Sequence, residues 1–397
     1  MSARKIGFLI LVLLFGATVE TAWHVREHHY SFGPEGLRVL GGRFYGPSFE
    51  FEENAERALP AEGAAEVEVR NAFGEVRVLP GEEPVMRVRL RKVVFQPTEE
   101  KARTFAERVE VEIVEDEGRL RVGTNRDDVE GGEEVGFETH LEVQVPPDTL
   151  ARVRNEHGVV EVRGVAGANV RSAFESVRVE DVAGPVSIDA RQGAVEVSGL
   201  GADLTLESRH GDVEVSEVVG PAELDVQHGK LRVRGTSALK ARLSYGDVEV
   251  EDIGGDAEVH ARHAEVRVSG VGGRADLKTT FADVRSGAVE GSLKVEVEHG
   301  DAHLAPAAPI TEAIDVTVSQ GEITLAVPEE SRFELAAESR HGEIRVEVPG
   351  LDSRESKAGE SARVEGTMGS GGPQVTLRAR GDIVLEPGSA SLPAEEE

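Results

Sequence analysis

One short pattern recurs along most of the chain and limits what it can fold into. The unit alternates apolar and polar residues, passes through a turn that is usually marked by glycine, and alternates again; its clearest copy is LTLESRHGDVEV at 204–215. The turn position recurs at Gly158, Glu175, Gly193, Gly211, Gly229, Gly246, Ala264, Ala282, Gly300, Gly321 and Gly342. The spacing is 17 or 18 residues up to Gly300 and 21 residues after it. A fixed period with two alternating runs per unit predicts stacked repeats, each contributing two short strands.

The alternation assigns an inside and an outside to each repeat. After the turn at Gly211, Val213 faces inward and Glu214 faces outward. Equivalent strands of successive repeats then pair in parallel about 4.8 Å apart, which superposes Val213, Leu231 and Val248 in one interior column. The predicted fold is an all-β, right-handed parallel β-solenoid with about 18 residues per rung. The connectors rarely alternate, which favours two long faces with a short third side, although three equal faces remain an alternative.

The repeats do not occupy the whole chain. The predicted divisions are a polar connector at 24–59, a β-rich cap with one helix at 60–150, the solenoid at 151–386 and a disordered acidic tail at 387–397. Within the cap, an early copy of the repeat at Val67–Val78 precedes a helix that begins at Pro97 and Thr98. Within the solenoid, 351–373 is predicted to be a loop, and VTLRARGDIVL is predicted to form the last strand pair and close the array. A cap is expected because the first rung otherwise exposes an unpaired strand edge.

The N-terminus predicts export. Arg4 and Lys5 precede an uncharged apolar stretch, Ile6–Val19, which is short for a membrane span and typical of a signal peptide. A cleavage site after Ala22 lacks the usual small residue two positions earlier, where Glu20 stands. Residues 1–23 are therefore interpreted as a retained signal anchor, with a cleaved signal peptide as the alternative. In both cases the rest of the chain lies outside the cytoplasm, in the cell envelope.

Composition excludes several classes of function. The formal net charge is 44 − 74 = −30, which opposes binding to nucleic acid and to anionic lipid, so that membrane contact is expected only through the N-terminal segment. The chain has no cysteine, which rules out disulfides, thiolate catalysis and cysteine zinc sites. Aromatic residues make up only 4%, as suits many thin layers better than one thick core.

The position before each turn carries rings and is the main candidate site. It is occupied by His157, Phe174, Gln192, His210, His228, Tyr245, His263, Phe281, His299, Gln320 and His341. His210 and His228 would stack in neighbouring rungs, and a column of imidazoles is a possible metal site. However, His210 has the parity of the inward residues, and Phe or Tyr replaces it elsewhere, so that a buried ladder of packed rings is the preferred interpretation.

No catalytic or cofactor site is predicted. The sequence has no nucleophile elbow, zinc-protease, phosphate-binding or dinucleotide-binding motif in a suitable context. The outward column of the second strand is charged at Glu161, Arg178, Glu196, Glu214, Arg232, Glu249, Arg267 and Arg285. Opposite charges often meet there between adjacent rungs, which favours correct register rather than a binding patch.

The repeat resembles a known family. The strings NAFGEVRV at Asn71, NEHGVVEV at Asn155 and SRHGDVEV at Ser208 are similar to the repeats of the bacterial putative-adhesin family of β-strand-repeat proteins, a domain of unknown function. The resemblance covers roughly 60–386 and implies a right-handed β-solenoid in the cell envelope. It supplies no catalytic residues.

Three functions follow as hypotheses. The preferred one is a non-catalytic adhesin-like or structural protein of the envelope, whose partner is an envelope protein or a glycan. The second is a sensory or regulatory ectodomain coupled to envelope signalling. The third is a β-helix carbohydrate-active enzyme. The partner and the oligomeric state cannot be read from the sequence.

Overall fold

The computed structural model describes residues 47–59, 65–116, 118–132 and 135–388, together with the backbone of two short strands at 38–40 and 43–45. The predicted signal segment at 1–23 lies outside the described residues, as does 389–397 of the predicted tail. Within the described part, no helix is both long and apolar enough to span a bilayer.

Strands and one α-helix build the first part of the chain. The strands are β1 (Arg38–Leu40), β2 (Arg43–Tyr45), β3 (Ser48–Ala58), β4 (Glu66–Phe73), β5 (Val76–Pro80), β6 (Val85–Phe95), β7 (Val111–Asp116), β8 (Arg119–Thr124) and β9 (Phe137–Val145), and the helix is α1 (Glu99–Ala106). The predicted connector at 24–59 thus contains the eleven-residue strand β3.

The remaining described elements are all strands. They are β10 (Leu150–His157), β11 (Val160–Arg163), β12 (Gly167–Phe174), β13 (Val177–Glu180), β14 (Val186–Gln192), β15 (Val195–Leu200), β16 (Leu204–His210), β17 (Val213–His228), β18 (Leu231–Ile253), β19 (Ala257–Val271), β20 (Ala275–Phe281), β21 (Val284–Ser286), β22 (Leu293–His299), β23 (Ala302–Leu304), β24 (Ile314–Gln320), β25 (Ile323–Val327), β26 (Phe333–Ser339), β27 (Ile344–Val346), β28 (Leu351–Ala358), β29 (Ser361–Met368), β30 (Gln374–Ala379) and β31 (Ile383–Pro387).

These elements form two compact units. The described parts of the smaller unit are the strands β1 and β2, residues 47–52 and 91–110, and residues 125–138 apart from 133–134, and it contains α1. As predicted, the helix begins after Thr98, whose side chain caps it by accepting a hydrogen bond from the backbone N–H of Lys101 at 3.4 Å. Phe105 packs in this unit edge-on against Phe137, with ring centroids 5.0 Å apart.

The larger unit, described over 53–388 without the segments just named, is the predicted parallel solenoid. Successive rungs pair in register, so that Val213 lies beside Leu231 and Val248 beside Val266. All four side chains are buried. The predicted interior column is therefore confirmed at the step from Val213 to Leu231, and Val248 continues in register into the following rung.

A short third side closes the central rungs, between Leu200 and Val271. The connector residue Val218 is buried and pairs in parallel with Leu200 on one side and Thr236 on the other. Ile253 and Val271 continue the same inward column. Two long faces and one short side thus enclose a narrow core made mainly of valine and leucine.

At the N-terminal end, the order of rungs in space differs from their order in sequence. β4 pairs in parallel with β10 and with β8, while β5 pairs with β11 and with β9. The early copy of the repeat at Val67–Val78 is thus a rung of the stack, inserted between the β8/β9 rung and the β10/β11 rung. The stack extends across the predicted boundary at residue 150.

The C-terminal end repeats this arrangement and corrects two predictions. β30 lies between β24 and β26, and β31 lies between β25 and β27, all in parallel. The string VTLRARGDIVL is therefore an internal rung, and the prediction that it closes the array is wrong. The predicted loop at 351–373 is also wrong, because β28 and β29 form an antiparallel hairpin there that pairs with β26.

Glycine is required where successive turns stack. Gly211 and Gly229 have φ angles of +138° and +136°, which side chains rarely adopt. A Cβ atom on Gly229 would also overlap the carbonyl oxygen of Gly211 in the preceding rung. The turn glycine therefore permits both the corner and the close approach of the next rung.

Candidate functional site

The rings before the turns stand on the outside of the solenoid corner. His210 and His228 are exposed, as are Phe174, Tyr245 and Phe281. The prediction that His210 faces inward is wrong. Ser208 is the last buried residue of its strand, and the alternation breaks before the turn, because the chain bends towards Gly211 and leaves Arg209 and His210 both exposed.

The rings nevertheless form the predicted stack. His210, His228, Tyr245, His263, Phe281 and His299 follow one another with centroid separations of 4.7, 5.0, 5.0, 4.7 and 4.9 Å, and we call this column the ring ladder. Neighbouring planes lie within 10° of parallel. A shorter stack, Phe73–His157–Phe174, precedes it, and Gln192 occupies the rung between the two.

The ring ladder does not offer converging metal ligands. The lone pairs of an imidazole lie in the plane of the ring, and zinc binds them at about 2.0–2.1 Å. The planes of His210 and His228 are 5° from parallel and their centroids are 4.7 Å apart. In-plane lone pairs of two such rings point side by side and do not meet at one ion. The geometry therefore favours the packing interpretation over the metal hypothesis.

The exposed part of each ring is its edge. Ring faces are covered by the rings of the neighbouring rungs, so that they are not free to stack against a sugar or a base. The edges present imidazole nitrogens, the hydroxyl of Tyr245 and the apolar rim of Phe281, which is 48% exposed. The ladder is thus suited to contact with a second surface along its length.

The asparagine of the repeat motif has a structural role. The side-chain amide of Asn155 donates to the carbonyls of Gly158 at 2.8 Å and Gly74 at 3.0 Å. The amide of Asn71 donates in the same way to Gly74 and to the carbonyl of Thr139. These buried bonds join the turns of adjacent rungs, and they account for the first residue of the NxxG string.

We call the long face formed by the strands after the turns the second face. It carries the predicted charged column on its exterior. Arg178 donates to Glu196 in the next rung at 2.9 Å, and Arg232 lies 3.5 Å from Glu249. These pairs are substantially exposed, so that each contributes only a few tenths of a kcal/mol, about 0.2–1. Their role is to favour the observed register.

We call the long face formed by the strands before the turns the first face. It carries a basic patch near the N-terminal end of the stack. The patch consists of the partly exposed arginines Arg70, Arg119, Arg121, Arg152, Arg154 and Arg171, which surround the two glutamates Glu66 and Glu68. Arg70, Arg154 and Arg171 lie side by side in three successive rungs. Sequence reasoning missed this patch, because its members lie up to 101 positions apart in the sequence (171 − 70) and only the register brings them together.

Glu68 is the buried anion of the patch. Its side chain is 1% exposed and accepts hydrogen bonds from Arg70 at 2.9 and 3.1 Å, with Arg121 and Arg154 each 3.4 Å away. Burial acts to raise the pKa of Glu68, but the hydrogen bonds and positive charges of these arginines outweigh it and hold the pKa below its ordinary value. One carboxylate thus contacts three guanidinium groups, of which Arg121 also pairs with Asp116 at 3.4 Å, and the surface above Glu68 stays basic.

Three possible metal ligands come together at another corner. Asp283, Asp301 and His303 place one ligand atom each within 4.8 Å of the others. The carboxylate of Asp283 accepts from the backbone N–H of Asp301 at 2.9 Å, and that of Asp301 accepts from Glu322 at 2.8 Å. These bonds tie one rung to the next, and the same bond recurs from Lys230 to Asp212. The aspartates after the turns are accounted for by this structural role.

The described grooves follow the same columns. A groove of about 410 Å³ on the first face is lined by residues that hold one position in successive rungs, including Thr205, Glu223, Lys240, Glu258 and Asp276. It is a valley along a column of side chains that repeats from rung to rung.

Solved structures similar to this chain include three bacterial proteins. A putative cell adhesion protein from Clostridium sporogenes is 8% identical, with a TM-score of 0.18, and the match covers 85% of this chain and all of that one. Putative adhesins from Bacteroides fragilis and Parabacteroides distasonis are 13% and 12% identical, with TM-scores of 0.24 and 0.26. Both matches cover 69% of this chain, and they cover 96% and 93% of those chains. At these identities and TM-scores, the names of the three proteins describe those proteins and assign no role to this chain.

The family is shown by sequence. No curated protein matches the chain. The model of the Toastrack DUF4097 family, a domain of unknown function, matches residues 98–386, which is more than half of the chain and includes most of the stacked rungs. The chain therefore belongs to the Toastrack DUF4097 family.

Proposed function

We propose that this protein is a non-catalytic, adhesin-like component of the bacterial cell envelope, which binds an acidic envelope glycan through the basic patch. The patch is the observation that carries the proposal. Six arginines surround two glutamates, with Asp116 and Asp189 at the edges, on one face of a chain whose formal net charge is −30. A local reversal of charge on a strongly charged protein directs an oppositely charged partner to one place.

The geometry supports binding rather than catalysis. Arg70, Arg154 and Arg171 form a straight row on a sheet face, which suits a polymer with repeated negative charges. The buried carboxylate of Glu68 fixes two of these arginines from below. The predicted export segment supports the proposal, because an exported chain would meet such a polymer outside the cytoplasm.

The test is sedimentation of the purified full-length chain with isolated acidic envelope polysaccharide. We expect the unmodified chain to sediment with the polymer, and the double variant Arg154→Gln/Arg171→Gln to lose at least tenfold in affinity. Arg232→Gln/Arg267→Gln removes the same charge from the second face and should bind normally. Equal losses of affinity for both double variants would mean that the polymer responds only to net charge, which would contradict a site on the first face. Failure of the unmodified chain to bind would also overturn the proposal.

A further inference from the structure

The ring ladder is an exposed row of large rings that the proposed glycan contact does not use. Tyr245 and Phe281 are 46% and 48% exposed, although the rings touch one another along the row. Exposed aromatic rows with polar margins are typical of surfaces that contact another protein.

The spacing of the ladder limits what can lie along it. Its ring centroids repeat every 4.7–5.0 Å. An extended peptide rises about 3.2–3.4 Å per residue and would drift out of step within a few rings. A surface that repeats once per strand spacing, about 4.8 Å, stays in step over the whole row. A second copy of the same ladder meets this condition.

The margins of the ladder differ in charge. The residues just before the six rings are Arg209, Gln227, Ser244, Arg262, Thr280 and Glu298. The residues two positions after the rings are Asp212, Lys230, Asp247, Glu265, Asp283 and Asp301. The first margin has two arginines and one glutamate, and the second has five acids and one lysine. The charge of each margin is therefore complementary to the charge of the other margin, and two copies of the same margin are not complementary.

We propose that two copies of the protein associate side by side and in parallel, with their ring ladders in contact. A two-fold axis along the stack places the first margin of one copy against the second margin of its partner at the same level. Arg209 then faces an aspartate equivalent to Asp212, and Arg262 lies at the level of Glu265, whose carboxylate also pairs with Arg267 and Arg285 of its own chain. An antiparallel pair would instead set like margins against each other. The interface does not depend on the glycan contact of the first face.

One pair of facing residues in the proposed interface is repulsive, so that its removal should strengthen the dimer. At the last rung, Glu298 would face the acid equivalent to Asp301. Glu298→Gln should therefore tighten the dimer, whereas Tyr245→Ser/Phe281→Ser should weaken it at least tenfold. Light scattering after size exclusion, at 0.15 M salt to screen the net charge of −30, measures both changes. The melting temperature of a dilute monomer checks that each variant is folded.

The absence of cysteine from the sequence allows a direct test of direction. Full-length chains with His210→Cys or His299→Cys mark the two ends of the ladder, and Val219→Cys marks an exposed position at the connector corner. A parallel pair brings each ladder cysteine close to its own counterpart, so that both ladder variants should form disulfide dimers on mild oxidation while the Val219 variant does not.

Three outcomes would overturn the proposal. They are a monomeric mass for the unmodified chain at all concentrations tested, equal cross-linking at Val219, and cross-linking only in a mixture of the two ladder variants. The last outcome would mean an antiparallel pair.

Discussion

The imidazole rings of His210 and His228 lie 5° from parallel with their centroids 4.7 Å apart, although 18 positions separate the residues (228 − 210). Both rings are exposed, so that their stacking follows from the register of the strands and not from burial in a core. This relationship decides between the two interpretations of the histidines.

We expect zinc and nickel to leave the melting temperature unchanged at low molar excess, because the ring planes do not converge on one ion. His210→Phe should change the free energy of unfolding by less than about 1 kcal/mol, since a phenyl ring keeps the stack at an exposed site. His210→Ala should lose one stacking contact, about 0.5–1.5 kcal/mol. Thermal melts with and without metal measure both effects. A metal-dependent rise that disappears in His210→Phe would restore the metal hypothesis.

The stacked turns predict a sharp difference between two glycines. Gly229→Ala should destabilise the protein by more than about 2 kcal/mol, because φ is +136° and the new Cβ meets the carbonyl of Gly211. Gly235→Ala is the control. The φ angle of Gly235 is +67°, and an added Cβ would lie 3.6 Å from its nearest neighbour, the backbone nitrogen of Glu217. Only the left-handed backbone therefore disfavours alanine at this position, by about 1 kcal/mol. Denaturant unfolding compares the two, and equal losses would contradict the close stacking of turns.

Glu68 predicts a loss of stability in acid. Because its pKa is lower in the folded than in the unfolded chain, the unfolded chain binds more protons as the pH falls. The stabilisation is complete above the unfolded value of about 4.3 and is lost as the pH falls through the lower folded value. At pH 7, Glu68→Gln should cost about 2 kcal/mol by leaving three arginines without their shared anion.

The control for this prediction is Glu196→Gln. Glu196 is 49% exposed and pairs with one arginine, so that its loss should cost under about 1 kcal/mol. Unfolding midpoints measured from pH 7 to pH 3 should converge for the unmodified chain and Glu68→Gln. A constant difference between them across this range would show that the charge of Glu68 is not responsible.

The rung order at the C-terminal end predicts an unusual pattern of hydrogen exchange. Amides of β30 should exchange slowly despite their late position in the chain, because β24 and β26 flank the strand on both sides. Amides of β28 should exchange much faster, because its described pairing is with β29 alone and its side chains are exposed. Peptide-level exchange measured by mass spectrometry separates 351–358 from 374–379. Similar rates in the two segments would contradict the inserted rung.

The interior of the solenoid was predictable from alternation, and its corners were not. Strict alternation identifies Val213 and Leu231 as inward residues, because a straight strand turns its side chains by half a rotation at each step. The same rule fails at His210, where the chain has already begun to bend. The basic patch also escapes it, since Glu68 occupies an outward position and is covered by Arg70 of its own strand and by Arg121 and Arg154 of neighbouring strands.

The order of the end rungs could not be predicted for a different reason. The segment 374–387 carries the same alternation as 314–327 and 333–346, and any order of the three satisfies the pattern. What distinguishes the orders is which edges remain open, and the hairpin at 351–368, a polar segment with weak alternation, decides this.

The inserted rungs also limit how this protein can be made. While the chain is being synthesised, β24 and β26 cannot acquire the neighbour that lies between them until β30 has emerged, after both of them. A chain interrupted before residue 374 is therefore not a shorter version of the same solenoid, because it lacks an internal layer and leaves two sheet edges open to other chains. A segment that follows both of its neighbours in the sequence completes this layer, so that folding of this end depends on the chain being present at least as far as β30 and β31.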